Sequence, residues 1–358
     1  MRRHLFLLFV LLLAVGGLAA CQLPNRTALS TDAPDPDIIW NGQQYVLHTT
    51  NSQFGNVPTW TSTDLAHWTY AGDALPTLPA WADPGWTWAP TSIRRADGKW
   101  FLYFSAAVRG QRKPVKCIGV ASAPTAAGPF TVVKERNAAP LLCEQGLGGD
   151  IDPSAYRQTV GGNAYLVTKI DGNAVARPTA IQNRRLDPSL WSFAAGLGPT
   201  TLLASTIGTW EAQVIEGPDL LFTGGRLHLI YSGGDFAKSS YGEGQALCAA
   251  TNQRCIRNGR LLEGPAYGSG AGGASAFTSA AGAPLLAWHS YASGSSVRLL
   301  SIGTLATSSN GVLSVSGSPL PPAGSATAPQ QRAAGLPGPI QLTVPDNLPI
   351  TVPNAHVR

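Results

Sequence analysis

Three acidic residues stand in matching surroundings although they lie far apart along the chain. They occur in Pro34-Asp35-Pro36-Asp37, Asp150-Ile151-Asp152-Pro153-Ser154 and Ile215-Glu216-Gly217-Pro218-Asp219. Each element comes directly before a short apolar run, a turn and a second run. If such units repeat about an axis, their entrances face one another, and Asp35, Asp152 and Glu216 meet. Carboxyl groups brought together can divide acid work from base work, because like charges disfavour each other's ionisation. Aspartate before proline carries no such meaning alone. Asp83-Pro84 and Asp187-Pro188 open no comparable unit and read as turns, where the fixed φ of proline is useful.

The elements that must position these groups form a repeat. Ile38-Ile39-Trp40-Asn41-Gly42-Gln43-Gln44-Tyr45-Val46-Leu47 is its first copy, and the second runs from Ser92 through Asp97-Gly98 to Tyr103. Later copies start near Ala155, Leu220 and Ala276, with turns at Gly161-Gly162-Asn163, Gly224-Gly225 and Ala281-Gly282. Asn-Gly and Asp-Gly favour tight hairpins, whose primed turns need positive φ at their centre. Successive starts lie roughly 55 to 65 residues apart, and no long amphipathic helix intervenes. Proline-bearing entrances precede the first four copies, Trp88-Ala89-Pro90-Thr91 being the second; the fifth has Gly272-Gly273-Ala274-Ser275. Five such units predict an all-β, five-bladed β-propeller over residues 32–315. The alternative is a β-sandwich with irregularly spaced hairpins.

The ends speak of export. Met1-Arg2-Arg3-His4 is followed by an apolar run over residues 5–20, too short to span a bilayer comfortably, which reads as a signal segment. Leu18-Ala19-Ala20-Cys21 resembles a bacterial lipobox, so Cys21 is expected to carry lipid and to hold the protein at a membrane facing the periplasm or the cell exterior. Plain secretion is the alternative. Residues 21–31 read as a tether, and residues 316–358, rich in Gly, Pro, Ala and Ser, as a mostly disordered tail. Removing Cys21 leaves Cys117, Cys143, Cys248 and Cys255, an even number that suits two disulfides in an exported chain. Of three connectivities, the local one (Cys117–Cys143 and Cys248–Cys255) is preferred, because each pair would close one strand pair. The formal charge of +5 falls to +3 once Arg2 and Arg3 leave. No basic stripe is visible, which argues against nucleic acid as a partner.

Taken in order, these motifs resemble glycoside hydrolase family 43. The likeness runs from about Asp32 to Leu305 and includes Ser62-Thr63-Asp64-Leu65-Ala66-His67-Trp68, Trp88-Ala89-Pro90, Lys169-Ile170-Asp171-Gly172-Asn173 and Trp288-His289-Ser290. The resemblance implies a five-bladed propeller that cleaves arabinose- or xylose-containing oligo- or polysaccharides with inversion. It makes Asp35 the general base, Glu216 the general acid and Asp152 the residue that orients Glu216 and keeps a proton on it. Glycosidic cleavage requires that division, since an oxocarbenium-like centre and a poor leaving group develop together.

Other residues carry secondary expectations. His289 matches a histidine near the axis that helps to hold a water or a structural calcium ion in relatives; a hydrogen-bonded core histidine is the other reading. No cofactor is required. Arg298 could reach the sugar, and Trp88 is expected to wall the pocket with an apolar ring face. Trp81 and Trp86 are expected at its rim. Two rivals remain. A fructan-cleaving propeller would show a Trp-x-Asn-Asp-Pro start, an Arg-Asp-Pro motif and a Glu-Cys pair, which this chain lacks. A carbohydrate-binding propeller without catalysis is the non-enzymatic one.

Overall fold

The computed structural model describes residues 27–317, apart from residues 112, 114 and 160. The signal segment, Cys21 and the tail beyond residue 317 lie outside the described residues. The strands fall into five antiparallel sheets. The first blade comprises Asp37–Trp40, Tyr45–His48, Pro58–Ser62 and Thr69–Asp73. The second comprises Trp88–Arg94, Trp100–Ala107, Lys116–Ala123 and Thr131–Val132, and the third Asp150–Tyr156, Tyr165–Ile170, Ala180–Arg185 and Thr200–Ala204. The fourth is Ile215–Thr223, Arg226–Gly233, Gly242–Cys248 and Cys255–Leu262. The fifth is built on Ser269–Thr278, Pro284–Tyr291 and Arg298–Thr307. The first strands of all five sheets touch their neighbours in a closed cycle, which makes the molecule a five-bladed propeller.

The ring closes with both ends of the described chain. Leu313–Ser316 pairs with residues 304–307 of the last full strand, and Thr27–Leu29 pairs with residues 300–301 of the same strand. Thr27–Leu29 therefore corrects the reading of residues 21–31 as a tether throughout, and Ser316, assigned to the tail, is strand. An edge shared by an early and a late segment ties the last blade to the first and covers an exposed strand edge.

The strands read as nearly continuous apolar runs because both faces of a blade are buried. Alternation sends neighbouring residues to opposite blades. In Trp100–Ala107, Leu102 and Phe104 pack toward the first blade with Val46 and Leu75, whereas Phe101 and Tyr103 pack toward the third with Leu166 and Leu186. Corresponding clusters fill the other three interfaces, for example Val167 with Leu229 and Leu286 with Leu262. Trp81 belongs to the cluster between the first and second blades. It is buried, and its indole N–H donates to the Arg136 carbonyl, so it is a core residue and not part of a rim. Trp86 is 42% exposed.

Both expected disulfides are present. Cys117 bonds to Cys143, and Cys248 to Cys255 across the last two strands of the fourth blade.

Candidate active site

One irregularity, repeated in four of the five blades, builds the site. In blades two to five the pairing of the first and second strands slips by one residue near the entrance: Trp88 pairs with Ser105 but Thr91 with Tyr103, and Ile151 pairs with Lys169 but Ser154 with Val167. Glu216 and Gly272 begin the same slip, opposite Ser232 and His289. The residue that follows has positive φ each time: Ala89 at 42°, Asp152 at 52°, Gly217 at 50° and Gly273 at 59°. Asp35, at 51°, is the first blade's counterpart. Such bulges re-aim a strand and are common beside active sites. Outside glycine the left-handed region costs roughly 1–2 kcal/mol, least for aspartate, which the packed ring must offset.

The slip refines the alignment of the acids. Asp35 and Asp152 share the positive-φ position, but Glu216 stands one residue ahead of it, in the place of Trp88 and Ile151. All three nonetheless line one cavity of about 440 Å³ at the propeller axis, together with Trp88, His289 and Arg298. The sequence-derived set of axial residues is thus brought together.

A ring of hydrogen bonds holds the entrances. The positive-φ amide of each blade donates to a side chain of the preceding blade: Ala89 N–H to Thr50 Oγ1 at 2.8 Å, Asp152 to Ser105 Oγ at 3.0 Å, Gly273 to Ser232 Oγ at 2.9 Å and Asp35 to His289 Nδ1 at 3.1 Å. Ser105, Ser232 and His289 occupy the same place on the second strand of their blade, opposite Trp88, Glu216 and Gly272, and Thr50 follows just past the end of the first blade's second strand. In the third blade that place holds Lys169, which cannot accept, and Gly217 N–H donates instead to Asp152 Oδ2 at 2.9 Å. Lys169 is buried (1% exposed), and its ammonium lies 2.8 Å from Glu216 Oε2 and 3.1 Å from Asp171 Oδ1. The Tyr241 hydroxyl donates to Glu216 Oε1 at 2.9 Å.

The acids therefore have different surroundings. Asp35 Oδ2 accepts from the Thr50 hydroxyl at 2.5 Å and lies 4.0 Å from the Arg298 guanidinium. Asp152 is pushed from 3.8 up to about 7, by burial first and then by the charge of Glu216, against the pull of Lys169 and the Gly217 amide. Burial lowers Lys169, but Glu216, Asp171 and Asp152 outweigh it and hold the ammonium above its ordinary range. Burial, then Arg298, holds His289 well below 6.5, so its ring is neutral beside Asp35.

His289 does not fit a metal ligand. With Nδ1 accepting from Asp35, the proton of the neutral ring sits on Nε2, a buried atom without a protein partner. An N–H suits a water or sugar oxygen and not a cation. Among the described residues no three His, Cys, Asp or Glu side chains are grouped to hold an ion.

Lys169, Asp171, Tyr241 and Lys116 also border the cavity, and sequence reading assigned none of them a role. Lys169 and Asp171 had a signal, two opposite charges in or beside an otherwise apolar strand. Tyr241 had none. The Lys116 ammonium lies over Trp88, 4.4 Å from the ring centroid, so one face of that tryptophan is covered.

Comparison with known proteins agrees with this architecture. An extracellular endo-α-(1→5)-L-arabinanase from Thermotoga petrophila is 31% identical over 144 residues, covering 36% of this chain and 28% of its own. The match thus spans less than a third of that relative. A thermostable family-43 glycoside hydrolase superposes with a TM-score of 0.69 at 21% identity, over 85% of this chain and 99% of its own. An endo-1,4-β-xylanase from Bacteroides thetaiotaomicron gives 0.67 at 24% identity, over 82% and 97%. At such identities the two structures speak for the fold. The profile of glycosyl hydrolases family 43 matches residues 25–300, reaching into every blade, and by that match the chain belongs to this family of glycosidases.

Proposed function

We propose that the chain hydrolyses arabinose- or xylose-containing oligo- or polysaccharides with inversion at the anomeric carbon. The observation that carries this reading is the asymmetry of the three carboxyls in one cavity. Asp35, which accepts from the Thr50 hydroxyl and has the Arg298 guanidinium 4.0 Å away, is the carboxyl suited to take a proton from water. Glu216, with the Lys169 ammonium on Oε2 and the Tyr241 hydroxyl on Oε1, is the group that delivers a proton to the departing oxygen. Asp152 supplies the like charge that keeps that proton bound and fastens the Gly217 amide beside Glu216. Trp88 and Arg298 would face the sugar. The arabinanase and xylanase likenesses support the sugar class. The two disulfides support export, and Cys21 would carry the lipid anchor.

Proton NMR of the earliest product from linear arabinan or an aryl arabinofuranoside or xylopyranoside tests the reading. The expected anomer is the inverted one. Glu216→Ala should cripple natural linkages yet spare highly acidic aryl leaving groups, while Asp35→Ala should abolish both. A retained anomer, or oligosaccharide binding without turnover on every substrate, overturns it.

A further inference from the structure

Both carboxyl oxygens of Glu216 are occupied, and their partners are not equivalent. Lys169 Nζ donates to Oε2 and the Tyr241 hydroxyl to Oε1. An ammonium has only protons to give. Against the pull of burial, Glu216 and Asp171 hold Lys169 above its ordinary range, so it stays charged through neutral pH. Oε2 must therefore turn a lone pair toward Nζ whether Glu216 is ionised or not. A hydroxyl can donate or accept.

Resting on the reading of Glu216 as the acid, we propose that Lys169 and Tyr241 are positioning residues that assign the transferable proton to Oε1 of Glu216. Lys169 excludes it from Oε2, and Tyr241 receives it on Oε1 until the glycosidic oxygen takes its place. In the chemical step the Oε1–H bond breaks as that proton bonds to the departing oxygen, which keeps the electron pair of the cleaved carbon–oxygen bond. Water bonds to the anomeric carbon and gives its proton to Asp35. Glu216 is left ionised against Lys169.

The repeat argues against Lys169 as mere filling. Its counterparts Thr50, Ser105, Ser232 and His289 all accept the next blade's entrance amide. Lysine gives up that bond and is buried beside two carboxylates from different blades, a costly exchange unless the charge has a use. The charged and titratable groups facing Glu216 are Asp152, Lys169 and Asp171 from the third blade and Tyr241 and Glu243 from the fourth. Asp35 and Lys116 face this group from the first and second blades.

The test is the pH profile of kcat/KM with a poor and a highly acidic leaving group. Lys169→Met should lower kcat/KM about 100-fold for the poor leaving group and far less for the acidic one. Its alkaline limb should move up by a unit or more, since the counter-charge of the ionised carboxylate is gone. Lys169→Arg should keep the limb in place. Tyr241→Phe should move the limb the same way, with its loss again confined to poor leaving groups. Equal losses on both substrates with an unmoved limb would make Lys169 structural and overturn the proposal. If Lys169→Met does not fold, Tyr241→Phe decides by the same two readouts. Glu216→Gln separates the two levels: equal loss on both leaving groups there would remove the acid itself, and not only the address of its proton.

Discussion

Asp152→Asn isolates the charge that the proposed mechanism needs. Asparagine keeps the shape and an oxygen that can accept from Gly217 N–H, the bond Asp152 now makes at 2.9 Å. What disappears is the negative neighbour of Glu216. Asp152 is displaced from 3.8 to about 7, and burial is the larger cause, with Glu216 second. A tenfold change in proton affinity is about 1.4 kcal/mol. In the variant Glu216 and Asp171 still face Lys169, but the charge of Asp152 beside Glu216 is gone, so the proton leaves at lower pH. The alkaline limb of kcat/KM should move down by about 1–2 units, and the loss at pH 8 should reach roughly 10- to 100-fold with a poor leaving group. At pH 5, below the limb, the loss should be much smaller. The assay is kcat/KM from pH 4 to 9 on one poorly activated substrate. A limb that stays in place while KM rises would make Asp152 a sugar contact and refute the reasoning.

Other outcomes follow from the same geometry. Gly273→Ala would put a Cβ 2.5 Å from the His289 ring and 2.7 Å from Asp35 Oδ1, at a φ of +59°; activity should fall about 100-fold, as a misplaced base does, while circular dichroism stays that of the parent. Glu243, Asp37 and Asp219 are raised by burial to about 8, 7 and 6. Their stabilisation is full below the unfolded values near 4 and is lost as pH rises through the folded ones, so Tm should decline between pH 5 and 9, and Glu243→Gln, neutral throughout, should flatten that decline. The Cys117–Cys143 disulfide spans 26 residues and Cys248–Cys255 only 7, so their loss should cost about 3.5 and about 2.4 kcal/mol in chemical denaturation; the reverse order would show that the unfolded chain retains structure around Cys117.

The blades were legible because their hairpins are local. Asn41-Gly42, Asp97-Gly98 and Gly224-Gly225 sit at observed turns, and both central residues of the last have positive φ, as a primed turn demands. The meeting of Asp35, Asp152 and Glu216 was legible from the repeat alone. What escaped was non-local or depended on register. Thr27–Leu29 is three ordinary residues whose partners lie near residue 300, and nothing in Thr-Ala-Leu announces that pairing. The one-residue lead of Glu216 depends on where the bulge falls. Trp81 shares a loop with Trp86, and only packing against the Arg136 segment separates a core ring from an exposed one. Tyr241 reaches Glu216 from the segment before the fourth blade's third strand, a distance in space that sequence spacing does not encode.

A strictly fivefold ring would be useless for this chemistry, because it would give every entrance the same neighbours. Hydrolysis needs a base and an acid in unlike states. The repeat supplies the distances, and departures from it supply the roles. Where three blades offer a hydroxyl to the next entrance, the fifth offers the neutral ring of His289, which anchors the Asp35 backbone without neutralising its carboxylate. The third offers Lys169, which leaves the Gly217 amide to Asp152 and turns a cation on Glu216. Glycine at the fourth and fifth entrances keeps the space that a Cβ would take from Ser232, His289 and Asp35. Each departure sits at the axial end where first and second strands meet, while the clusters between blades keep their alternating apolar pattern. The packed interfaces can thus hold the ring rigid while its entrances differ, and the strain of positive φ at Asp35, Ala89 and Asp152 is carried where it aims carboxyls and a tryptophan into one cavity.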